Sequence, residues 1–173
     1  MLYASGDRNP FDDVATGFDA ILENPQFAGA DTSFFHRQAL PLIGGGGVAL
    51  SGRNGLLPSL RSSKDKGQSN FVNPGLTLVG AGADADLLPT LRLLGNVSWL
   101  QFNETTVLGV LRNQRAPARA IGTDLSLGLQ YRPLFSQNIV LSASVATLLP
   151  GRGLRELYGD DDSPPLYSAL FNL

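Results

Sequence analysis

The sequence lacks cysteine altogether and contains a single histidine, His36. Without cysteine there is no disulfide framework, thiol nucleophile or thiolate metal site. A serine–histidine–aspartate triad would need His36 as its base, and no GxSxG motif accompanies that residue. Asp12, Asp13 and Asp19 lack the DxDxDG spacing and the closing glutamate of a calcium loop. The sequence therefore predicts a protein that is not an enzyme and that binds no cofactor and no metal.

Charged residues are also scarce, at 16% of the chain against about 25% in ordinary soluble domains. Thirteen basic and fifteen acidic side chains leave a net charge of −2, so no basic excess favours a nucleic-acid partner. No run approaches the roughly 18 consecutive apolar residues of a membrane helix, which excludes a helical membrane protein. A β-barrel stays compatible, because it hides its apolar residues at every second position.

Residues 122–151 contain the clearest pattern, two segments in which apolar and polar side chains alternate. Side chains of a strand point to opposite faces with period two, so each segment predicts a strand with two unlike faces. Pro133 removes a ladder donor and opens a short connection at 133–136. On the apolar side the first segment has Leu125, Leu127, Leu129 and Tyr131, and the second has Ile139, Leu141, Ala143, Val145 and Thr147.

Both segments are long for strands of a soluble protein. Each has about eleven residues, close to the 9–11 that a tilted strand needs to cross a bilayer. Strands of soluble proteins average nearer 5–6 residues. Long hairpin arms with small polar residues on one face favour a barrel with lipid outside and water or packed polar groups inside. An antiparallel sheet in a soluble sandwich remains the alternative.

Weaker patterns predict further elements along the chain. Residues 75–83 and 91–102 form a second hairpin around a turn at 84–89, and residues 105–113 form one or two helical turns. Residues 2–6 end a strand, 33–40 form another, and 166–173 form the last one. The total is about seven strands, near the minimum of about eight for a closed membrane barrel.

The predicted connections alternate in length. Short turns with long loops between them are typical of outer-membrane barrels, in which the turns lie on the periplasmic side. Such a rhythm favours a barrel over a sandwich. The long connections are 7–32, 52–73, 104–120 and 150–164, and the short ones are 42–46, 84–89 and 133–136.

Three segments resemble the C-terminal part of large Gram-negative outer-membrane barrels, of the alginate-export and porin-like type. They are ASGDRNPFDDVATGFDAILENPQFAG at 4–29, NPGLTLVGAGADADLLPTLRLLGNVSWLQF at 73–102 and IGTDLSLGLQYRPLFSQNIVLSASVATLLPGRGLRELYG at 121–159. The resemblance implies an all-β, antiparallel, up-and-down transmembrane β-barrel. It includes no catalytic signature.

Residues 1–173 are accordingly interpreted as a single barrel segment, the C-terminal portion of a longer barrel. The start of the chain has no basic region followed by an apolar one, so we expect the signal peptide and the N-terminal strands to lie upstream. The expected location is the bacterial outer membrane. The expected partners are membrane lipid and lipopolysaccharide, the remaining upstream strands, and a periplasmic or surface protein.

The predicted function is a porin-like channel that passes small polar or anionic solutes through a lumen lined by the polar faces. Two alternatives stay open: a non-conducting structural barrel that holds a partner protein, and a soluble sandwich or lipocalin-like binding module. The lumen candidates are Arg92, Asn96, Ser98, Asp124, Ser126, Gln130, Arg132, Ser142 and Ser144. The lipid-facing candidates are Leu125, Leu127, Leu129, Tyr131, Ile139, Leu141, Ala143 and Val145.

Overall fold

A computed structural model describes residues 1–14, 16–17, 33–34, 73–133, 139–159 and 164–172 of the chain. In these ranges it has six strands, which form one sheet, and two short helices. The strands are β1 (Leu2–Ala4), β2 (Leu76–Leu88), β3 (Leu91–Gln101), β4 (Ala120–Tyr131), β5 (Leu141–Pro150) and β6 (Leu166–Asn172), and the helices are α1 (Thr106–Arg112) and α2 (Arg152–Tyr158).

The sheet has the simplest antiparallel topology. Its spatial order is β1-β2-β3-β4-β5-β6, and every strand pairs antiparallel with the next one along the chain. Consecutive connections therefore lie at opposite ends of the sheet. The β2–β3 and β4–β5 connections lie at one end, which we call the turn end, and the others lie at the end of α1 and α2, the helix end.

Each strand contributes one row of side chains to each face of the sheet. Leu127 of β4 pairs with Gly95 of β3 and Val145 of β5, and these three residues lie on one face. The next position along β4, Ser126, pairs with Asn96 and Ala146 on the other face. We call these the apolar face and the polar face.

The hydrophobic core lies at the helix end, on the same side of the sheet as the polar face. Leu148 belongs to this core and pairs with Asp124, which fixes the side. Each short helix contributes two apolar side chains from one of its sides, as in an amphipathic helix. They are Val107 and Leu108 in α1, and Leu154 and Leu157 in α2. The core consists of Phe34, Leu76, Leu78, Leu100, Phe102, Val107, Leu108, Ile121, Ala146, Leu148, Leu154 and Leu157.

Backbone conformation explains where the two helices end. Asn113 caps α1 and Gly159 caps α2 in the left-handed conformation, the usual way to close the last helical turn. At the start of α2, Gly153 packs directly against the carbonyl of Ala118, so a side chain there would collide with the backbone. The helix can lie against the start of β4 because position 153 is glycine.

Several sequence predictions are confirmed. β4 and β5 form the expected hairpin, α1 forms the helical turns predicted at 105–113, and β1 and β6 lie where strands were expected. Between the described strands the connections alternate in length, with residues 89–90 joining β2 to β3 at the turn end and longer connections at the helix end; the short connection predicted at 133–136 lies, apart from residue 133, outside the described residues. The antiparallel up-and-down fold is thus confirmed for the described part of the chain.

Other predictions need correction. The turn expected at 84–89 is wrong, because β2 continues to Leu88 and only Pro89 and Thr90 connect it to β3. Residues 150–164 were predicted as a charged connection, yet they contain α2. Ile139 precedes β5, which begins at Leu141. Phe34 is helical, where a strand was predicted at 33–40; the rest of that prediction beyond residue 34 lies outside the described residues, as do His36 and the short connection at 42–46.

The described strands do not close on themselves, since β1 and β6 are the two edges of the sheet. Closure into a barrel therefore stays a prediction, and so does the position of the sheet in a membrane. Neither described helix is long and apolar enough to cross a bilayer.

Candidate functional site

The apolar face is exposed over most of its area. Half of the surface of Leu127 is accessible, and Val145 in the neighbouring strand is exposed to 56%. Soluble monomers rarely expose a contiguous apolar patch larger than a few hundred Å². The other exposed members of this face include Val79, Val97, Trp99, Leu125, Leu129, Tyr131, Leu149, Tyr167 and Phe171.

Aromatic side chains lie toward both ends of the apolar face. Trp99 and Tyr167 lie near the helix end, whereas Tyr131 and Phe171 lie near the turn end. Between them, the row through Leu127 contains only aliphatic residues and glycine. Trp99 and Tyr131 thus lie at the two ends of the face, whereas Tyr167 and Phe171, four residues apart on β6, lie closer to its middle.

The length of the strands suits a bilayer. β4 has 12 residues and β5 has 10. At about 3.3 Å per residue, a strand of the length of β4 extends about 40 Å. Tilted by about 40°, it would span about 30 Å along the membrane normal, the thickness of the hydrocarbon core.

Two shallow hollows interrupt the apolar face. One, of about 520 Å³, lies over Gly95 and beside Leu127 and Val145. The other, of about 550 Å³, lies between Leu129 and Phe171. Small residues and larger aliphatic ones together give this face a ridged surface.

At the turn end, the polar face has a group of ionic and polar side chains. The guanidinium of Arg92 donates a hydrogen bond to Asp84, and its Nε lies 4.0 Å from Oδ1 of Asp86. At that distance Arg92 and Asp86 form an ion pair, but the distance is too long for a hydrogen bond. The buried Nε of Arg92 therefore has no hydrogen-bond partner. Gln130 and Ser142 continue the same row across β4 and β5, and both are half-buried.

At the helix end, the polar face is closed. Ser98, Asp124 and Ser126 are buried, and the hydroxyl of Ser33 donates a 2.8 Å hydrogen bond to Oδ2 of Asp124. Buried carboxylates need such partners, because desolvation penalises an unpaired charge. The adjoining core of α1, α2 and Phe34 covers this end of the polar face.

The structure brings the lumen candidates together on one face. Arg92, Asn96, Gln130, Arg132, Ser142 and Ser144 are half-buried, whereas Ser98, Asp124 and Ser126 are buried under the core. Arg132 lies just after β4, where its backbone N–H donates to Thr90. Whether this face lines a lumen stays a prediction.

The lipid-facing candidates within the strands share the opposite face. Leu125, Leu127, Leu129 and Tyr131 pair in register with positions 147, 145, 143 and 141 of β5. Ile139 is exposed but lies outside the strands. Contact with lipid stays a prediction for all of them.

Sequence reasoning missed Asp84 and Asp86 because it assigned them to a turn. The alternation of Ala83, Asp84, Ala85 and Asp86 was the available signal, since it continues the period of the preceding strand. As a result, the ionic group around Arg92 was not anticipated.

A groove of about 570 Å³ at the helix end was also missed. It lies between α2 and residues 114–118. Glu156 accepts hydrogen bonds from the backbone N–H of Ala118 at 2.7 Å and from Arg152 Nε at 2.6 Å. These bonds, the one from Ala118 first, lower the pKa of the Glu156 carboxyl below its ordinary 4.5. The contacts attach α2 to the segment that precedes β4.

A second contact joins the two helices. The guanidinium of Arg112 lies 5.7 Å from the ring centre of Tyr158, a cation–π distance. Burial raises the pKa of the Tyr158 hydroxyl, and the nearby positive charge of Arg112 opposes part of that rise. Both helices contribute apolar residues to the core, and we call them together the cap.

Metal chemistry finds no support in the described ranges, which contain no group of three His, Cys, Asp or Glu side chains that could hold an ion. No family model matches the chain, and comparison with curated proteins and with solved structures gives no match. The functional proposal therefore rests on the geometry of the sheet.

Proposed function

We propose that the chain forms part of an outer-membrane β-barrel that lets small polar or anionic solutes pass along its polar face. The observation that carries the proposal is the pair of unlike sheet faces. An exposed apolar face with aromatic ends is directly opposite a face that carries serine, asparagine, glutamine and ionic side chains together with Leu94 and Leu170. In water such an exposed apolar face would favour aggregation, whereas in lipid it is the stable arrangement.

The connections support the same proposal and give it an orientation. The short connections share the turn end, while the helices and the long connections share the helix end. In outer-membrane barrels the turns face the periplasm and the longer loops face outward. The α1–α2 cap would then cover the outer mouth, and the group around Arg92 would lie near the periplasmic mouth.

Selectivity in this arrangement would depend on Arg92 and its two aspartates. Rings of charged side chains set ion preference in pores. Arg92→Gln removes the positive charge and leaves Asp84 and Asp86 unbalanced, so the pore should become more selective for cations. Planar bilayers containing the reconstituted protein test this through conductance and reversal potential in a salt gradient.

The matched control is Arg8→Gln, which also removes one arginine, at a site 86% exposed and distant in the fold. It should leave the reversal potential unchanged. If both variants shift the potential equally, Arg92 does not line the conducting path.

A second candidate is a non-conducting structural barrel. The buried helix end of the polar face favours it, because Ser98, Asp124 and Ser126 lie under a packed core instead of facing an open space. In that case the protein partitions into detergent and vesicles but carries no current. A chain that stays in the aqueous phase without detergent would instead be the soluble binding module.

A further inference from the structure

We propose that the outer edge of β2 binds an additional extended strand that runs antiparallel to it. The β2 edge is the backbone of residues 79–88 that faces away from β3. The inference rests on the proposed barrel, because hydrocarbon cannot satisfy unpaired backbone groups and a membrane sheet must therefore have no free edge.

The edge is uncovered in the described part of the chain. β1 pairs only with residues Leu76–Leu78, at the helix end of β2. From Val79 onward, every residue of β2 is exposed, including positions on both faces. Ten residues of backbone thus lack a neighbour on one side among the described strands. A strand of about ten residues is long enough to cross a bilayer.

Strand direction restricts what can pair there. Because all neighbours are antiparallel, β2, β4 and β6 run one way and β1, β3 and β5 run the other. β6 therefore cannot complete an antiparallel ladder with β2. A second copy of the chain in the same membrane orientation would offer its own β2 and β6 edges. Both run parallel to β2, so neither can form an antiparallel ladder with it.

The occupant we infer is a separate strand that runs in the direction of β1 and continues its register along β2. It is an addition by backbone pairing, in which main-chain hydrogen bonds provide affinity and alternate side chains provide specificity. Because β6 and β2 run in the same direction, closing the sheet into an antiparallel barrel requires an odd number of strands between them. β1 would be part of one of these strands.

The side chains of β2 specify the chemistry of this strand. Directly opposite residues in an antiparallel pair share a face. Apolar side chains should therefore oppose Val79, Ala81, Ala83 and Ala85, and polar ones should oppose Gly80, Gly82 and Asp84.

A basic side chain should oppose Asp86. Arg92 donates its hydrogen bond to Asp84, and 72% of the Asp86 side chain is exposed. Two carboxylates thus share one guanidinium in this group, and a cation from the incoming strand would balance the second.

The single tryptophan makes the inference measurable. Trp99 pairs with Val79 at one end of the edge, two strand spacings or about 10 Å from the occupant. The probe is a synthetic peptide of about ten residues that alternates valine with threonine and has one lysine opposite Asp86. It bears a fluorescence acceptor at either its C-terminus or its N-terminus, and it is titrated into the full chain in detergent micelles.

Antiparallel pairing places the C-terminus of the peptide beside Trp99. We expect saturable energy transfer from Trp99 to the C-terminal acceptor and much weaker transfer to the N-terminal one. A peptide N-methylated on alternate residues of one edge should not bind, because it cannot form the ladder. Absence of saturable transfer, stronger transfer to the N-terminal acceptor, or equal binding of the N-methylated peptide would each overturn the inference.

A charge exchange locates the peptide on β2 instead of β6. With the natural chain, the lysine peptide should bind roughly threefold more tightly than a glutamate version, as expected for one cross-strand charge pair. Asp86→Lys should reverse that preference, and an unchanged preference would contradict the assignment. Bilayer conductance is read separately, so a failed peptide experiment with an intact conductance would remove this inference and leave the proposed channel.

Discussion

At the scale of single residues, the decisive contrast is between neighbours in sequence that belong to opposite faces. Leu127 is half exposed, whereas Ser126, one position earlier, is only 8% exposed. The alternation of the sequence predicts that every polar position is equally open to an interior. The structure separates them, because the core at the helix end covers Ser126 and the turn end leaves Ser142 half-buried.

Introducing a charge on the apolar face tests its environment. If Leu127 lies near the bilayer midplane, Leu127→Arg should lower the free energy of unfolding by about 2–4 kcal/mol, because hydrocarbon cannot solvate the guanidinium. Urea-induced unfolding from lipid vesicles measures the change. In a water-exposed sheet the same substitution would cost less than about 0.5 kcal/mol.

The matched control places the same charge on the polar face. The control variant is Ser142→Arg. Ser142 lies in β5 and pairs with Gln130 of β4 and Asn172 of β6, which are both neutral and polar. We expect it to change the free energy of unfolding by less than about 0.5 kcal/mol. Ser126 is unsuitable for this purpose, since an arginine there would enter the buried region. Equal losses for Leu127→Arg and Ser142→Arg would show that the faces do not differ.

At the scale of elements, the cap of α1 and α2 determines what the helix end does. Leu108 is fully buried in the core, while Val110 on the same helix is exposed to 44%. Leu108→Ala should lower the free energy of unfolding by about 2–5 kcal/mol, through lost burial and the cavity that remains. Val110→Ala should change it by less than about 0.5 kcal/mol. Similar effects of both variants would mean that α1 does not pack as described.

The attachment of α2 through Glu156 predicts a pH dependence. The pKa of this carboxyl is lowered in the folded protein, first by the N–H of Ala118 and then by Arg152. Its stabilising effect is therefore complete above its unfolded value near 4.5, and it is lost as the pH falls through the lower folded value. Protonation weakens both contacts.

The measurement compares urea midpoints of the natural chain and Glu156→Gln between about pH 6 and pH 3. Other carboxylates titrate in both proteins, so the difference isolates Glu156. The natural chain should lose more stability on acidification than the variant, with the two curves converging below the folded pKa. Parallel curves throughout the range would refute the contribution of Glu156.

Much of the element pattern followed from period-two alternation, but two elements did not. Asp84 and Asp86 are turn formers, and local propensity suggested a turn where pairing with β3 extends the strand as far as Leu88. α2 was missed because it is short and contains Gly153, although Leu154 and Leu157 have helical spacing.

At the scale of the whole molecule, the sequence predicted two faces and alternating connections but not how the ends differ. The closed helix end depends on long-range contacts, such as Ser33 with Asp124, that no local pattern encodes. The ionic group at the turn end depends on the strand register that places Arg92 beside Asp84 and Asp86. These contacts give the sheet one packed end and one half-open end.

The central claim is that the apolar face of the sheet contacts lipid and the polar face an enclosed interior. Because the chain has no cysteine, single cysteines can be introduced along β4 and spin-labelled without background. In vesicles, collision rates with oxygen should peak at positions 125, 127 and 129, and those with a water-soluble nickel complex should be minimal there. Labels at those three positions that collide freely with the nickel complex, with no alternation along β4, would contradict the account.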